Sequence, residues 1–492
     1  MDSILKDSGL DNLNSLLGCK TQYSQETCIN LLKQHIHFPN IRKLQYNQSI
    51  INKCNTFDPN TINSLFNKFS ELEKDCSFFF EKKSLDSLEQ DTFGQLLFQH
   101  ELLKHLNEIP YLLLLVSYIK IYFVPIVSVL SPIVMYFVPY ILIKYIWGMP
   151  ISFEMYQSII GKLWSFDLTT SPQKLLQNAF TIFTIIQSMY QPIQNAFHLY
   201  TIDSTIVKLG SSIIDYFNHV EILQNITGFH ICKLPSIERN DVRKNFFHIL
   251  ENPNYIKHIF ERVSYFEILW RIYEKKYNKI QLYNNSKPYF KADHIFDIHL
   301  NEKTRIGSPF SIQDNKNHYL LSGPNGGGKS SFLRGILQTI ILSQTFGYSP
   351  SINVHMTPFD IIFSGLHIQD TPGNKSLFEK EICFARDVLY NNNPAYKCFV
   401  LFDEIFHSTN PPDSIKTSNK FLHKLWSYNH FASIVSTHVF EIIEESPEYI
   451  HKICVDSIRE NGVLKHTYKV QEGINKESSV EMIWSKEFNA VS

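Results

Sequence analysis

Apolar residues recur at helical spacing through much of the chain before residue 285. In the clearest stripe they are three or four positions apart: Ile202, Ile206, Leu209, Ile213, Phe217 and Val220. This period predicts an amphipathic helix with one buried face. Residues 151–285 therefore predict a domain of long helices, and residues 1–107 predict a more polar region of interrupted helices.

After residue 285 the pattern changes to short apolar strands that alternate with amphipathic helices. The polar stretch QLYNNSKP at 281–288 marks the change. Such alternation is typical of an α/β domain. The predicted fold class is therefore an α/β domain over residues 286–492, preceded by a mainly α-helical region.

Residues 109–147, within a segment assigned to 108–150, form an apolar block whose only charged residues are Lys120 and Lys144. The run between these lysines would span roughly 34 Å as a helix, slightly more than the hydrocarbon core of a bilayer. Prolines recur in it every seven residues, at Pro125, Pro132 and Pro139. Three interpretations stay open: a kinked transmembrane span, a membrane hairpin that turns near Ser131–Pro132, and a buried pair of core helices.

The composition argues against several classes of protein. Lysine and arginine (46) balance aspartate and glutamate (47), so the net charge of −1 shows no basic excess for coating nucleic acid, although a local basic groove stays compatible with it. The eight cysteines are scattered without a CxxC pair, which argues against a zinc site or disulfide framework and favours a reducing intracellular compartment. The N-terminus predicts no secretory signal, because it has no basic start followed by an apolar run.

A phosphate-binding loop is predicted where the apolar strand Tyr319–Ser322 leads into GPNGGGKS and an amphipathic helix. Glycines let the backbone N–H groups surround phosphates at the positive end of the helix. A lysine neutralises β/γ-phosphate charge in such loops, and the following serine hydroxyl can bind Mg²⁺. The nucleotide-binding residues predicted in this way are Gly323, Pro324, Asn325, Gly326, Gly327, Gly328, Lys329, Ser330 and Ser331.

Two acidic residues follow a second apolar strand, Lys397–Phe402, about 70 residues further on. Asp403 is placed to hold Mg²⁺ together with Ser330. Glu404 is the candidate general base that orients the attacking water, because phosphoryl transfer depends on positioning and charge stabilisation. A third strand, Phe431–Val435, is followed by His438, which we interpret as a switch histidine that senses the γ-phosphate.

Between these strands, TPGNKSLFEKEICFARDVL (371–389) predicts a helix. Thr371, Asn374 and Ser376 lie at or before its N-terminus, where unpaired N–H groups and the helix dipole favour an anion. One interpretation is an ordinary capped helix. The other is a signature helix that offers Ser376 to the nucleotide of a second subunit.

Taken in order, these motifs resemble the ATPase domain of the MutS mismatch-repair family, of the ABC type, over residues 286–484. GPNGGGKSSFLR (323–334) resembles the family's phosphate loop GPNMGGKST, and LFDEIFHST (401–409) resembles LMDEIGRGT. Ser376-Leu377-Phe378 stands where the family has STF. Three further segments are similar to family motifs: PFDIIFSGLHIQD (358–370), STHVFEI (436–442) and TYKVQEGINKESSVEMI (467–483).

The resemblance implies a homodimeric ATPase that uses ATP and Mg²⁺ and completes two composite sites in trans through the ATPase domain. Lys329 and Ser330 are then the phosphate and Mg²⁺ ligands, and Ser330 and Asp403 are the metal-site pair. Glu404 and His438 are the catalytic residues that it implies. Ser376 would reach the γ-phosphate bound by the other subunit.

The sequence departs from the family pattern in two ways. The family's GRGT is replaced by Phe406-His407-Ser408-Thr409, so the loop that links the two sites is altered and turnover is expected to be slow. Only about 285 residues precede the ATPase segment, which predicts that the N-terminal mismatch-binding domain is missing. Phe79-Phe80-Glu81 contains the family's Phe-x-Glu mismatch motif, but so short a motif is expected by chance.

Three functions remain as hypotheses. The first is a MutS-like repair or recombination ATPase whose helices 151–285 act as levers on mismatched or branched double-stranded DNA. The second is a membrane-anchored MutS-like ATPase, held by residues 109–147, that does not act in classical mismatch repair. The third is a nucleotide-gated scaffold that binds ATP and barely hydrolyses it.

Overall fold

The structure, a computed structural model, describes residues 1–80, 93–98, 100–163, 172–233, 241–313, 316–368, 376–391, 393–460, 463–477 and 484. The chain divides into two compact units. The first unit combines Met1–Phe66 with Glu261–Ser492, and the second unit is Asn67–Phe260. The four segments predicted from the sequence are thus grouped differently in space, because residues 1–66 share a core with the C-terminal α/β elements.

The α-helices of both units carry most of the described chain. In chain order they are α1 Asp2–Ser8, α2 Leu13–Leu17, α3 Ser24–Ile36, α4 Ile41–Lys53, α5 Pro59–Cys76, α6 Leu112–Tyr118, α7 Val124–Ile141, α8 Phe153–Leu163, α9 Pro172–Thr227, α10 Val242–Glu251, α11 Pro253–Glu274, α12 Lys329–Phe346, α13 Leu377–Tyr390, α14 Pro411–Trp426 and α15 Phe440–Glu444.

The strands all belong to the first unit. They are β1 Asn278–Lys279, β2 Gln281–Leu282, β3 Phe290–Ile295, β4 Ser308–Ile312, β5 His318–Ser322, β6 Tyr348–Ser349, β7 His355–Met356, β8 Ile361–Gly365, β9 Cys398–Phe402, β10 Phe431–Ser436, β11 His451–Glu460 and β12 Val463–Glu472.

A six-stranded mixed sheet forms the centre of the first unit, with strand order β12-β11-β5-β10-β9-β8. The five strands from β11 to β8 are parallel, and β12 runs antiparallel to β11. Every residue of β5, β9 and β10 is buried, as expected for parallel strands covered on both faces. The carboxyl ends of these three strands therefore lie at one edge of the sheet, where α/β proteins bind ligands. A smaller sheet has the order β2-β7-β3-β4.

Helices α1 to α4 pack onto α12 and the strands beside it. Gln48 Nε2 donates to the carbonyl of Gly347 at 2.9 Å, and Gln344 Nε2 donates to the carbonyl of His35 at 2.9 Å. Asp7 accepts a hydrogen bond of 2.5 Å from Ser364 Oγ. These buried polar pairs fix residues from opposite ends of the sequence in one unit.

The predicted amphipathic stripe lies in the second unit, within the 56-residue helix α9. All six of its apolar residues are buried, from Ile202 to Val220. The period of the sequence thus predicted both the helix and its buried face. Ion pairs such as Arg243–Asp203, at 2.6 Å, add polar contacts between α10 and α9.

The apolar block forms one continuous helix, Leu112–Ile146, which comprises α6, α7 and two π-helical turns and is called here the apolar helix. It is the one helix in the described part of the chain that is long and apolar enough to span a membrane, with a mean hydropathy of 2.2. None of its most apolar window is buried. The interpretation as a buried core pair is therefore wrong, and so is the hairpin near Ser131–Pro132.

The apolar helix continues through Pro132 because a serine hydroxyl replaces a missing hydrogen bond. Pro132 has no N–H to donate to the carbonyl of Ser128, four residues earlier. Ser131 Oγ donates to that carbonyl instead, at 2.7 Å. A π-helical turn, Ile119–Phe123, directly precedes α7, and Pro125 lies in the first turn of that helix, where proline is tolerated. Proline spacing alone therefore could not distinguish a kink from a turn.

Candidate functional site

The glycine loop follows β5 as predicted and leads directly into α12, which begins at Lys329. Gly326 and Gly328 have φ values of 76° and 102°, in the left-handed region that favours glycine. A Cβ at Gly328 would also lie 3.2 Å from Cδ1 of Tyr468. The loop therefore requires glycine here, and its N–H groups lie at the positive end of an 18-residue helix, a favourable place for an anion.

Lys329 lies under this loop and is 5% exposed. Its Nζ donates to the carbonyls of Gly323 at 2.9 Å and Pro324 at 3.2 Å. Burial lowers the pKa of Lys329, and the charges of Asp403 and Glu404 partly oppose that shift. The ammonium group is thus held by neutral carbonyls in a place where a phosphate would be a better partner.

Ser330 and Asp403 meet at the same edge of the sheet. Ser330 Oγ donates to Asp403 Oδ2 at 2.5 Å, and Ser436 Oγ donates to Asp403 Oδ1. A hydroxyl and a carboxylate at this distance are oxygen ligands of the kind that Mg²⁺ binds together with substrate phosphates. The part of the chain that the structure describes has no cluster of three or more His, Cys, Asp or Glu residues that could hold a metal. The pair therefore fits a metal held largely by a ligand's phosphates.

Glu404 and His438 form the second contact of this edge. His438 Nε2 lies 3.0 Å from Glu404 Oε1, and the two side chains are 36% and 39% exposed. The hydrogen bond from His438 is the main reason that the pKa of Glu404 lies below its ordinary value. Glu404 N–H donates to Ser436 Oγ at 2.9 Å, which fixes a backbone with a φ of 52°. Glu404 is therefore an ionised, half-exposed carboxylate beside the glycine loop.

Ser376 is the N-cap of α13. Its Oγ accepts from Glu379 N–H at 3.3 Å, and Glu379 Oε2 accepts from Ser376 N–H at 2.8 Å, which is a capping box. The structure thus shows the capped helix, and a role of Ser376 toward a second subunit stays a prediction. Thr371 and Asn374 lie outside the described residues.

A cavity of about 370 Å³ adjoins the glycine loop. Its walls include Gly326, Gly328 and Ser331 from the loop and Tyr468 from β12. The Arg305 guanidinium lies 3.8 Å from the centre of the Phe296 ring in the same wall. This volume is in the range of small-molecule sites and combines aromatic surface with polar groups.

His466 lies next to this cavity and was missed in the sequence. A Cβ built at Gly326 would lie 3.8 Å from its Nε2. Neither ring nitrogen of His466 has a hydrogen-bond partner among the described residues, and burial lowers the pKa of the imidazole. Its spacing of two residues from Tyr468 on β12 places both at the loop, a signal that a strand pattern alone does not reveal.

Comparison with known proteins identifies this arrangement. Residues 319–483 match the family model MutS domain V. The match identifies residues 319–483 as a MutS domain V. It is 27% identical over 177 residues to the DNA mismatch repair protein MutS of Bacillus cereus (strain B4264), and 26% identical to that of Bacillus thuringiensis (strain Al Hakam). Each match covers 35% of this chain and 20% of the relative, so the shared part spans a fifth of those proteins.

The loop that departs from the resembled family motif GRGT begins two residues after Glu404, at Phe406. Phe406 takes the place of the first glycine of GRGT and has a φ of 48°. Its ring is fully buried and lies 5.8 Å from that of Phe402 and 6.0 Å from that of Phe421. The aromatic side chain therefore holds the loop in a left-handed conformation that glycine would adopt freely.

The two residues after Phe406 reach helix α13. Ser408 Oγ donates to Glu381 Oε2 at 2.5 Å, and His407 Nδ1 lies 3.2 Å from Glu381 Oε1. Glu381 is buried, and burial raises its pKa. His407 Nδ1 also contacts the carbonyl of Glu404 at 2.8 Å. Sequence reasoning missed Glu381, since a carboxylate inside a helix carries no motif of its own.

Proposed function

We propose that this chain binds ATP with Mg²⁺ and hydrolyses it to ADP and phosphate, as an ABC-type P-loop ATPase. The observation that carries the proposal is the 2.5 Å contact between Ser330 and Asp403, because it brings the predicted metal residues of two separate motifs together. The glycine loop after β5, the buried lysine and the paired carboxylates after β9, a parallel strand of the same sheet, support the same conclusion.

The triphosphate is proposed to bind along the glycine loop. The N–H groups at the start of α12 donate hydrogen bonds to the phosphate oxygens. Lys329 Nζ leaves the carbonyls of Gly323 and Pro324 and binds the β- and γ-phosphates instead. Ser330 and Asp403 are the residues that would hold Mg²⁺. When bound, this ion neutralises phosphate charge. The cavity beside Tyr468 is the proposed site of the adenine base of ATP, and His466 lies near the loop.

Glu404 is the proposed general base. As an ionised carboxylate it accepts a hydrogen bond from water and orients it toward the γ-phosphorus, and it takes up the water's proton as the new P–O bond forms. His438 holds Oε1 of Glu404, so it positions the base and lies where it can respond to the γ-phosphate. The bond to the leaving β-phosphate oxygen breaks, and ADP and phosphate result.

The oligomeric state and the nucleic-acid partner are parts of the same proposal. We expect a homodimer that closes on ATP through the ATPase domain, with Ser376 of each copy at the other's nucleotide. The relatives with the printed name DNA mismatch repair protein MutS support double-stranded DNA, mismatched or branched, as a partner. Binding to such duplexes should weaken as salt rises, because phosphate contacts release counterions.

A specific observation favours a second candidate, a membrane-anchored MutS-like ATPase. The apolar helix leaves none of its most apolar window buried and has the length of a transmembrane span. Lys120 and Lys144 stand near its ends, where lysines extend toward the interface. The proposed location is therefore intracellular and membrane-associated. Carbonate extraction tests it: full release of the chain into the soluble fraction overturns the anchor and leaves the ATPase proposal standing.

Phosphate release from ATP by the purified full-length chain tests the ATPase. Glu404→Gln should lower single-turnover hydrolysis by about 10²–10⁴-fold with ATP binding retained. Lys329→Ala should abolish ATP binding itself. Glu448→Gln, an exposed glutamate of the same unit, is the matched control and should hydrolyse like wild type. Equal turnover by wild type and Glu404→Gln contradicts the assignment of the base.

A further inference from the structure

Helix α9 packs against α7 and the π-helical turn before it. In the first half of α9 the partly or fully buried positions lie on one face: Ile185, Met189, Pro192, Ile193, Ala196 and Leu199. This stripe is therefore the face turned toward the apolar helix, and the two helices form one pair inside the second unit.

The other side of this helical segment is unusually apolar for an exposed surface. Between Lys174 and Asp203, residues 175–202 contain no Asp, Glu, Lys or Arg. Six large apolar or aromatic side chains are 57% to 77% exposed: Leu176, Phe180, Phe183, Ile186, Tyr190 and Phe197. As a helix the segment is about 40 Å long, enough to cross a hydrocarbon core of about 30 Å.

The connectivity of the chain limits the number of membrane crossings. Residues 1–66 and 261–492 pack into one unit, with contacts such as Ser364 to Asp7 at 2.5 Å. A single crossing between residues 66 and 261 would place these two parts on opposite faces of a bilayer. The number of crossings must therefore be even.

The apolar helix supplies one crossing, because it is continuous. A second crossing needs a charge-free stretch of about 18 residues or more. Between residues 67 and 111 and between 147 and 260, only 175–202 meets that length. We propose that the apolar helix and residues 175–202 of α9 form a two-span membrane hairpin in contact with lipid, whose connection from Trp147 emerges on the face opposite both parts of the first unit. This inference rests on the proposed membrane anchor.

Glutamines explain why hydropathy alone does not identify the second span. Gln187, Gln191 and Gln194 recur at spacings of four and three and continue at His198, so they form one narrow stripe of α9. Gln194 Nε2 donates to the Tyr190 hydroxyl at 2.9 Å. Such polar stripes in transmembrane helices face other helices and water rather than lipid. The glutamine stripe is exposed on the side of α9 turned away from the apolar helix, and Phe183, Ile186 and Tyr190 lie together along one flank of it as the surface proposed to contact the acyl chains.

Epitope mapping in sealed membrane vesicles tests the topology of the full-length chain. One tag is placed at each terminus and a third is inserted between Gly148 and Met149, in an exposed link. The expected result is that protease removes both terminal tags from one face and the inserted tag only from the other. All three tags on one face, in a chain that resists carbonate, overturns the two-span hairpin while the anchor stands. Release of the chain by carbonate overturns both.

Charged substitutions give a second, independent readout. Phe183→Lys places a charge on the lipid-facing side of the proposed second span, and Ile133→Lys does so on the apolar helix. Ile222→Lys is the matched control, because Ile222 is an exposed apolar residue of the same helix α9 outside the charge-free stretch. We expect both of the first two variants to lose most of the carbonate-resistant fraction and Ile222→Lys to keep it. If Ile133→Lys loses the carbonate-resistant fraction and Phe183→Lys keeps it, the second span is overturned and the first stands.

Discussion

Asp403 reaches Ser330 across an intervening strand. The strand order places β10 between β9, which Asp403 follows, and β5, which leads to Ser330. Ser436, the last residue of β10, donates to the second carboxylate oxygen of Asp403 and also accepts from the N–H of Glu404. One hydroxyl thus orients both acidic residues of the site, although the motif that begins with Ser436, STHVFEI, drew attention only to His438.

Ser436→Ala should therefore weaken the metal dependence of ATP hydrolysis. Asp403 loses the hydrogen bond that aims it, so we expect the Mg²⁺ concentration for half-maximal activity to rise roughly tenfold. The N–H of Glu404 loses its acceptor, which costs about 1–3 kcal/mol of stability. A Mg²⁺ titration of ATPase activity measures the shift. Ser436→Thr, which restores the hydroxyl, should recover it, and an unchanged midpoint in the alanine variant would show that Ser436 is dispensable.

The pH dependence of hydrolysis should report the Glu404–His438 contact. His438 lowers the pKa of Glu404 below its ordinary value of 4.5, so the wild-type base stays ionised as the pH falls toward that value. In His438→Ala the main cause of the depression is gone, so the pKa rises and the base becomes protonated at a higher pH. The acidic limb of the single-turnover profile should shift upward in pH. Glu404→Gln should show no such limb, and circular dichroism at each pH controls for unfolding.

The local patterns predicted most of this site. Strands β5, β9 and β10 lie within one residue of the apolar runs in the sequence, and the charged residues at their ends meet as expected. Ser436, His466 and Glu381 could not be predicted, because each matters through a neighbour distant in sequence. Ser436 is 33 residues from the carboxylate that it contacts.

The organisation of the chain was harder to predict than the site. Nothing local to Gln48 or Asp7 indicates that they bond to Gly347 and Ser364, about 300 and 357 positions away. The proline at position 132 predicts a break in the helix, and only the hydrogen bond from the Ser131 hydroxyl shows why the helix continues. Period and motif determine elements, whereas long-range polar pairs determine how the elements are grouped.

The left-handed backbone at Phe406 predicts that glycine is more stable than alanine at this position. Truncating its buried ring removes contacts with Phe402 and Phe421 and should cost about 3–5 kcal/mol in Phe406→Ala. Phe406→Gly loses the same contacts but relieves a left-handed backbone, worth about 1–2 kcal/mol. The glycine variant should therefore be the more stable of the two, whereas glycine is usually worse than alanine. Thermal unfolding measures the order. A glycine variant that melts below the alanine variant would contradict backbone strain at this position.

Asp7 allows a test of whether the N-terminal helices belong to the first unit. Its carboxylate accepts from Ser364 Oγ at 2.5 Å and from Leu366 N–H at 3.2 Å, and burial raises its pKa. A raised pKa means that the ionised form costs stability above that pKa, and the cost disappears as the pH falls through it. Asp7→Asn keeps an acceptor without the charge, so its thermal midpoint at pH 7 should equal or exceed that of wild type. The difference between the thermal midpoints of Asp7→Asn and wild type should become smaller at acidic pH.

Asp7→Ala removes the acceptor and leaves the Ser364 hydroxyl and the Leu366 N–H buried, which should cost about 1–3 kcal/mol. At pH 7 the alanine variant should thus be less stable than wild type, whereas the asparagine variant should be at least as stable as wild type. Asp2→Ala is the control: its ion pair with Lys33 is exposed, and such pairs contribute little. If all three variants unfold at the same temperature as wild type, the contacts with β8 do not hold helix α1 in position. In that case the N-terminal helices fold apart from the α/β elements of the first unit, and the even number of membrane crossings loses its basis.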